Sequence, residues 1–289
     1  MSSLTRSLII FGLVLFPAVS VLAGAQHFGA RLDQAQWEAS GSRLRCTLSH
    51  QIPFYGTARF ESRSGGSLEF VLEVLRQPAR PATAQLSSVA PAWMHDVAPT
   101  ELGEVEIAQD RVAFRFHRTM ARRLLSELEK GMYPTLRYAD WSDGRDQVTV
   151  ALSAVKLQAA LGNFLNCIND LLPYDFDAVR ETHVHFAFDS ASLDDRSKAA
   201  LDRVAAYLSA DPKVSQVRLV GYTDNVGFRR YNERLSRRRS DAVRDYLRTR
   251  GAKSAKFVVV AHGETRPLAS NRNELGRSEN RRVVVILVK

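Results

Sequence analysis

The chain of 289 residues carries only two cysteines, Cys46 and Cys167. Two thiols so far apart cannot make a metal site alone, because such a site needs more ligands than they supply. No apolar run approaches the ~20 residues of a membrane span. The strongest, Leu8 to Phe16, is short and is followed at once by Pro17. The sequence also lacks a phosphate-cradling glycine loop and a dinucleotide fingerprint. Ser236 sits in a helical pattern without a glycine elbow, and His262 has no evident acid or nucleophile partner. His183 and His185 share a face of a predicted strand, yet no third ligand is spaced to join them. These absences exclude the usual hydrolase, nucleotide-dependent and metal-dependent readings. No catalytic residue, metal or cofactor is expected, and the chain reads as a binding protein.

Acidic charge is scarce in one part only. From Ala178 to the end there are 23 Lys and Arg against 13 Asp and Glu, whereas the preceding part has 17 against 18. The net +9 therefore belongs to the C-terminal part, which should be drawn to a polyanion.

The N-terminus reads as an export signal. Arg6 supplies the positive start, Leu8 to Phe16 the apolar centre, and Ala23-Gly24-Ala25 a small-residue close. Leu22-Ala23-Gly24 would suit a lipoprotein signal, but the next residue is Ala25 and not cysteine. Residues 1–25 are expected to be cleaved, leaving a protein that neither spans the membrane nor carries a lipid. Export disfavours nucleic acid as the partner. It also brings the two cysteines into an oxidising compartment, where an even count favours a disulfide. A bridge closing so long a loop stabilises by ~4–5 kcal/mol in the chain-entropy model.

Residues 26–173 read as a strand-rich domain. Leu44, Cys46 and Leu48 alternate with polar residues, as do Leu68, Phe70, Leu72 and Val74, and later Val148, Val150 and Leu152 after a turn at 142–144. Val105 and Ile107, then Val112, Phe114 and Phe116, flank Gln109-Asp110 and suggest a hairpin. Helices are predicted over 119–130, stopped by Gly131, and over 156–172 with a stripe of Leu157, Leu161, Phe164, Leu165 and Ile168. Cys167 on this helix and Cys46 on the early strand would pin helix to sheet. Residues 78–81 and 91–99, rich in proline, read as loops. Residues 174–289 then alternate: a strand over 183–188, a helix capped by Ser192 with Leu201, Val204, Ala205 and Leu208, a strand over 214–220, a helix from about Asn232 to Gly251, and strands over 257–261 and 283–288. The chain is thus an α+β protein of two domains, the second a βαβαββ α/β sandwich.

The helix after Gly221 carries the sharpest signal. Its apolar stripe is Leu235, Ala242, Val243, Tyr246 and Leu247, and Arg239 falls on the same face. A buried guanidinium without a partner costs several kcal/mol in order of magnitude, and Asp224 in the preceding turn is the expected partner. An acid and an arginine at one pocket mouth suit a ligand that bears both an ammonium and a carboxylate. The alternative is a salt bridge that merely closes the turn onto the helix, with Asn232 as an N-cap.

The run Thr223-Asp224-Asn225-Val226-Gly227, with Asn232, Leu235-Ser236, Arg238-Arg239, Asn280-Arg281-Arg282-Val283 and the earlier Phe186-Ala187-Phe188-Asp189-Ser190, resembles the OmpA-like peptidoglycan-binding domains. The resemblance covers about the last 110 residues, and it implies that Asp224 and Arg239 hold the diaminopimelate of the wall peptide, with Thr223, Asn232, Leu235 and Arg282 in the same motif. Ser240 stands where the family usually has alanine. The export signal, the missing lipid cysteine, the strand-rich first domain and the spread cysteines further resemble a flagellar-motor component of the periplasmic T ring; Tyr138-Ala139-Asp140-Trp141 and the stretch 164–173 add to it. That resemblance implies docking of the first domain on the basal body, support of stator proteins, and anchoring to peptidoglycan in the periplasm. A general wall-to-membrane tether, or an accessory that targets a wall-remodelling enzyme, are the other readings.

Overall fold

The computed structural model describes residues 24–141, 144, 146–252 and 256–289. Most of the expected export signal, residues 1–23, lies outside the described residues, as do Ser142 and Asp143 of the expected turn.

Alternation of apolar and polar residues builds the first half. In chain order it comprises β1 (Ala25–Phe28), β2 (Trp37–Ser42), β3 (Arg45–Ile52), β4 (Gly56–Arg63), β5 (Glu69–Val74), β6 (Ala82–Val89), β7 (Thr100–Ile107), β8 (Val112–His117), α1 (Arg118–Glu129), β9 (Tyr133–Ala139), β10 (Gln147–Ala151) and α2 (Leu157–Asn169). The strands form two five-stranded sheets, β1-β10-β9-β6-β7 and β2-β3-β4-β5-β8. Cys46, Leu48, His50 and Ile52 of β3 all turn inward, as a period of two requires. The inner faces meet in one core around Phe60, Phe70, Phe114, Leu72, Leu86 and Leu136, each such side chain contributing roughly 1.5–3 kcal/mol by its burial.

Two expectations change here. The segments flanking Gln109-Asp110 are not a hairpin: β7 pairs with β6 and β8 with β5, so the turn carries the chain from one sheet to the other. Alternation marks which face is buried but is silent about the pairing partner. Helix α2 also ends at Asn169, short of the expected 172, and Leu165 of its stripe lies exposed.

Cys46 and Cys167 are joined as a disulfide with Cα atoms 5.9 Å apart, pinning α2 to the second sheet. Gly41 of β2 makes room for it. A Cβ at that position would stand 2.4 Å from the Cys167 Sγ and 2.7 Å from the Arg45 carbonyl oxygen.

The second half contains α3 (Asp177–Arg180), β11 (Glu181–His185), α4 (Asp195–Ala210), β12 (Gln216–Gly221), α5 (Arg229–Thr249), β13 (Lys256–Ala261), α6 (Glu274–Asn280) and β14 (Arg282–Val288). The expected βαβαββ order holds, with the short α3 added before the first strand and α6 before the last. The sheet runs β11-β14-β12-β13, with only β12 and β13 parallel among its pairs. Leu201, Val204 and Ala205 of α4 and Val243 and Leu247 of α5 pack on Val217, Leu219, Val283 and Val285 of the sheet. The cap of α4 is Asp194, whose Oδ1 accepts the Ser197 N–H at 2.8 Å, and not Ser192. Helix α5 starts at Arg229, earlier than its stripe suggests, because its first turn of Arg229, Arg230 and Tyr231 offers no aliphatic residue to reveal it.

The halves meet through Leu172. Its side chain is buried in the second core, its N–H donates to the Arg43 carbonyl, and its own carbonyl accepts from Gly65.

Candidate functional site

Strand β12 ends at Gly221, and the chain then loops back into α5. A Cβ on Gly221 would meet the Ser236 carbonyl oxygen at 2.3 Å and Ser240 Oγ at 2.6 Å. Only glycine lets the strand end lie this close to the helix, which brings the following loop, with Asp224, beside Arg239. Ser240 is accommodated by donating its hydroxyl to the Ser236 carbonyl at 3.1 Å.

Arg239 is completely buried, as its place on the apolar stripe predicts, yet Asp224 is not its direct partner. Its Nε donates to the Ser190 carbonyl at 2.7 Å, Nη1 to that of Tyr222 at 3.2 Å and Nη2 to that of Ala187 at 3.0 Å. The ring of Phe186 lies beneath it, 5.3 Å from the guanidinium carbon. These carbonyls come from loops that follow β11 and β12, where no neighbouring strand claims them. Burial pushes the Arg239 pKa down to about 10, against the favourable charges of Asp224 and Asp189, so the side chain remains cationic at neutral pH.

Asp224 pairs instead with Arg281, Oδ2 to Nη1 at 3.0 Å, and its Oδ1 accepts the Val226 N–H at 3.2 Å. Arg281 also donates to Glu274 of α6 at 2.7 Å and to the Phe186 carbonyl at 3.2 Å. Burial alone would lower the Arg281 pKa, but its bonds to Asp224 and Glu274 outweigh this and raise it.

A cavity of about 140 Å³ opens among these groups, lined by Asp189, Asp224, Asn232, Leu235, Arg239 and Arg281, with Phe188, Val226 and Tyr231 around them. Four of the residues expected from sequence, Asp224, Asn232, Leu235 and Arg239, therefore line one cavity. Asn232 lies within α5 rather than at its cap and donates to Glu264 Oε2 at 2.7 Å. Thr223 and Arg282 do not line the cavity. Thr223 is buried, its N–H bonded to the Gly263 carbonyl. Arg282 lies over the Tyr222 ring, 4.0 Å from its centroid.

Sequence reading passed over Arg281. Neighbouring residues of a strand face opposite sides, and buried Val283 and Val285 place the odd-numbered side of β14 toward the helices. That count turns Arg282 away from the helix side, while Arg281, the C-terminal cap of α6, lies before the strand and outside its alternation. Asp189 and Tyr231, hydrogen-bonded to each other at the rim, had weaker signals, since both belong to loop or helix-start segments.

The site holds cations and anions side by side. Of the five N–H donors of a guanidinium, Arg239 uses three on backbone carbonyls, which leaves donors for a carboxylate. Asp224 and Asp189 keep acceptor capacity for an ammonium. The neighbouring Ser236 hydroxyl is engaged, donating to the Glu233 carbonyl at 2.9 Å and accepting from Gly263 N–H at 3.1 Å.

Residues 185–281 match the OmpA family, and residues 28–173 match the MotY N-terminal domain. A peptidoglycan-associated lipoprotein of Haemophilus influenzae is 38% identical over 37% of this chain and 69% of its own length. The crystal structure of the peptidoglycan-associated lipoprotein from Burkholderia pseudomallei aligns with 33% identity over 37% of this chain and 89% of that one, at a TM-score of 0.35. By the family match over residues 185–281, the second domain is an OmpA-family domain, carried behind a strand-rich domain of another kind. The sodium-type flagellar protein MotY of Vibrio parahaemolyticus is 32% identical over 95% of this chain and 94% of its own length. The chain belongs to the MotY family. Among the described residues, no helix is long and apolar enough to cross a membrane.

Proposed function

We propose that this protein is a stationary component of the flagellar motor, held to the cell wall by its second domain and docked on the basal body by its first. The observation that carries the wall-binding half is the cavity in which Asp224 and Arg239 stand together, with Asn232 and Leu235 also lining it. The side-chain end of diaminopimelate bears one ammonium and one carboxylate. Asp224 takes the ammonium and the free N–H groups of Arg239 take the carboxylate, while Arg281 keeps Asp224 oriented. Asn232 and Leu235 shape the wall; Thr223 and Arg282 contribute at most through the loop and strand that they hold. The positive charge of residues 178–289 draws the domain toward the acidic wall polymer. The names of the relatives, a flagellar protein and a peptidoglycan-associated lipoprotein, support the same division of labour. In this reading residues 1–25 are removed on export, residues 26–173 meet the motor and its stator proteins, and residues 174–289 meet the wall in the periplasm.

Sedimentation of the purified protein with isolated sacculi tests the site. Free diaminopimelate should release the protein, and lysine, which has the ammonium but lacks the second carboxylate, should not. Equal release by both, or by neither, overturns the assignment.

A further inference from the structure

The first domain has a recess edged by a strained aromatic residue. Pro53 and Phe54 are the central residues of the turn between β3 and β4, closed by the Tyr55 N–H on the Ile52 carbonyl at 3.1 Å. Proline at the second position and a positive φ at the third make this the type II arrangement, whose third position favours glycine. Here it holds Phe54, at φ 61°. A bulky side chain in that region is an outlier with a cost, and the cost is not offset by burial. Phe54 is 90% exposed, and Leu75, just after β5, is 70% exposed; no other large apolar side chains of the first domain are as open to solvent.

Both edge a cavity of about 350 Å³ floored by Tyr55, Tyr138 and Trp141. The floor is rigid. Tyr138 and Trp141 stack at 4.9 Å between ring centres, and the hydroxyls of Tyr55 and Tyr138 bond each other at 3.0 Å. The lining is mixed, with Gln26, Asp140 and Arg76 beside the aromatic rings; Gln26 donates to Asp146 and Asp140 is already engaged, so the aromatic floor is the part that suits an apolar side chain. At its rim stands Arg76, exposed and without an ion-pair or hydrogen-bond partner among the described residues.

We propose that this recess is the docking surface of the first domain, and that its occupant is a protein segment presenting one large apolar side chain next to an acidic one. The apolar group enters between Phe54 and Leu75 onto the tyrosine–tryptophan floor, and the acid pairs with Arg76. The inference rests on the reading that the first domain meets the motor.

The test uses the full-length protein and basal bodies purified from the same bacterium. Phe54→Gly removes the ring and places glycine where the backbone favours it, so thermal stability should be unchanged or higher. Retention on basal bodies should nevertheless fall about tenfold or more, as for a central interface anchor. Arg76→Glu should weaken retention similarly and Arg76→Lys much less, with binding to sacculi unchanged in each variant. If the wild-type protein is not retained, the motor reading itself fails. If it is retained and Phe54→Gly and Arg76→Glu are retained equally well, docking occurs elsewhere and this surface is excluded. Self-association of the wild type in sedimentation velocity that is lost in Phe54→Gly would show that a second copy is the occupant, and would also overturn the proposal.

Discussion

Arg239 is a foundation of the cavity and, in the function proposed above, also its binding group. Its bonds to the carbonyls of Ala187, Ser190 and Tyr222 hold the loops around the cavity, so truncating it disturbs those loops as well as the ligand contact. Competition between ligands is therefore a cleaner probe of the site than removal of the arginine. Glu61 plays a comparable structural part in the first domain. It is nearly buried in β4, 2.6 Å from Arg45, 3.3 Å from Arg59 and 3.5 Å from Arg63. Burial alone would raise its pKa, but the bonds and charges of Arg45 and Arg59 outweigh this and hold it below 4.5. A carboxyl group with a depressed native pKa contributes stability that is present above its unfolded pKa and lost as pH falls through the native value. His50, buried against Trp37, acts in the same direction from a higher pH. Burial lowers its pKa despite its bond to the Gln36 carbonyl, so stability is full above about 6.5 and declines below it. Thermal melts of the first-domain transition should fall modestly below pH 6.5 and further below pH 4.5. Glu61→Gln should cost about 1 kcal/mol at neutral pH, because Arg45 and Arg63 are largely exposed and Arg59 keeps its pair with Glu73, and should flatten the lower limb of the profile.

At the scale of elements, α2 depends on its covalent tie. Its inward side buries Leu157, Ala160, Leu161 and Phe164, but Leu165 is exposed and Ile168 only partly covered near the C-terminal end. Cys167 secures that end, and Gly41 permits the approach. Replacing both cysteines by serine should lower first-domain stability by up to ~4–5 kcal/mol, the upper bound for opening so long a loop. Chemical denaturation should show this loss in the first-domain transition, with sacculus binding by the second domain retained. Elements with a clean period were legible beforehand: β3, β5, β10, α4 and α5 follow their apolar spacing. Strand β1, four residues long and paired in parallel with β10, has too short a pattern to be seen. Helix α6 was missed because its role is polar, placing Glu274 beside Arg281, and polar helices leave no stripe.

For the whole molecule, the junction matters as much as either domain. Leu172 lies in the stretch matched to the first domain, yet its side chain packs with Val179, Leu201 and the rest of the second core, while its backbone is bonded to Arg43 and Gly65 of the first. Cys167 lies only a short way before it. If the chain bridges motor and wall as proposed, such a joint would pass force through packed side chains and a disulfide instead of a slack linker. Leu172→Ala should destabilise the second domain by roughly 2–4 kcal/mol, the usual cost of a buried Leu-to-Ala change. Differential scanning calorimetry should report the change in the second-domain transition. A loss confined to the first-domain transition would contradict this account of the junction.

The sequence by itself determined the two-part character, the burial of Arg239 and the nearness of Asp224, because helical spacing and a turn of few residues are local facts. It also determined that the cysteines belonged to a strand and a helix able to meet. Partners across space were left to the tertiary structure. Folding decided that Arg239 rests on backbone carbonyls, that Arg281 rather than Arg282 holds Asp224, and that β7 and β8 join different sheets. Folding also set Phe54 at the edge of an aromatic recess formed by segments distant in the chain. The physical reason is common to all of these: periodicity tells a residue which way to face, whereas only packing chooses which of several facing groups comes within bonding distance.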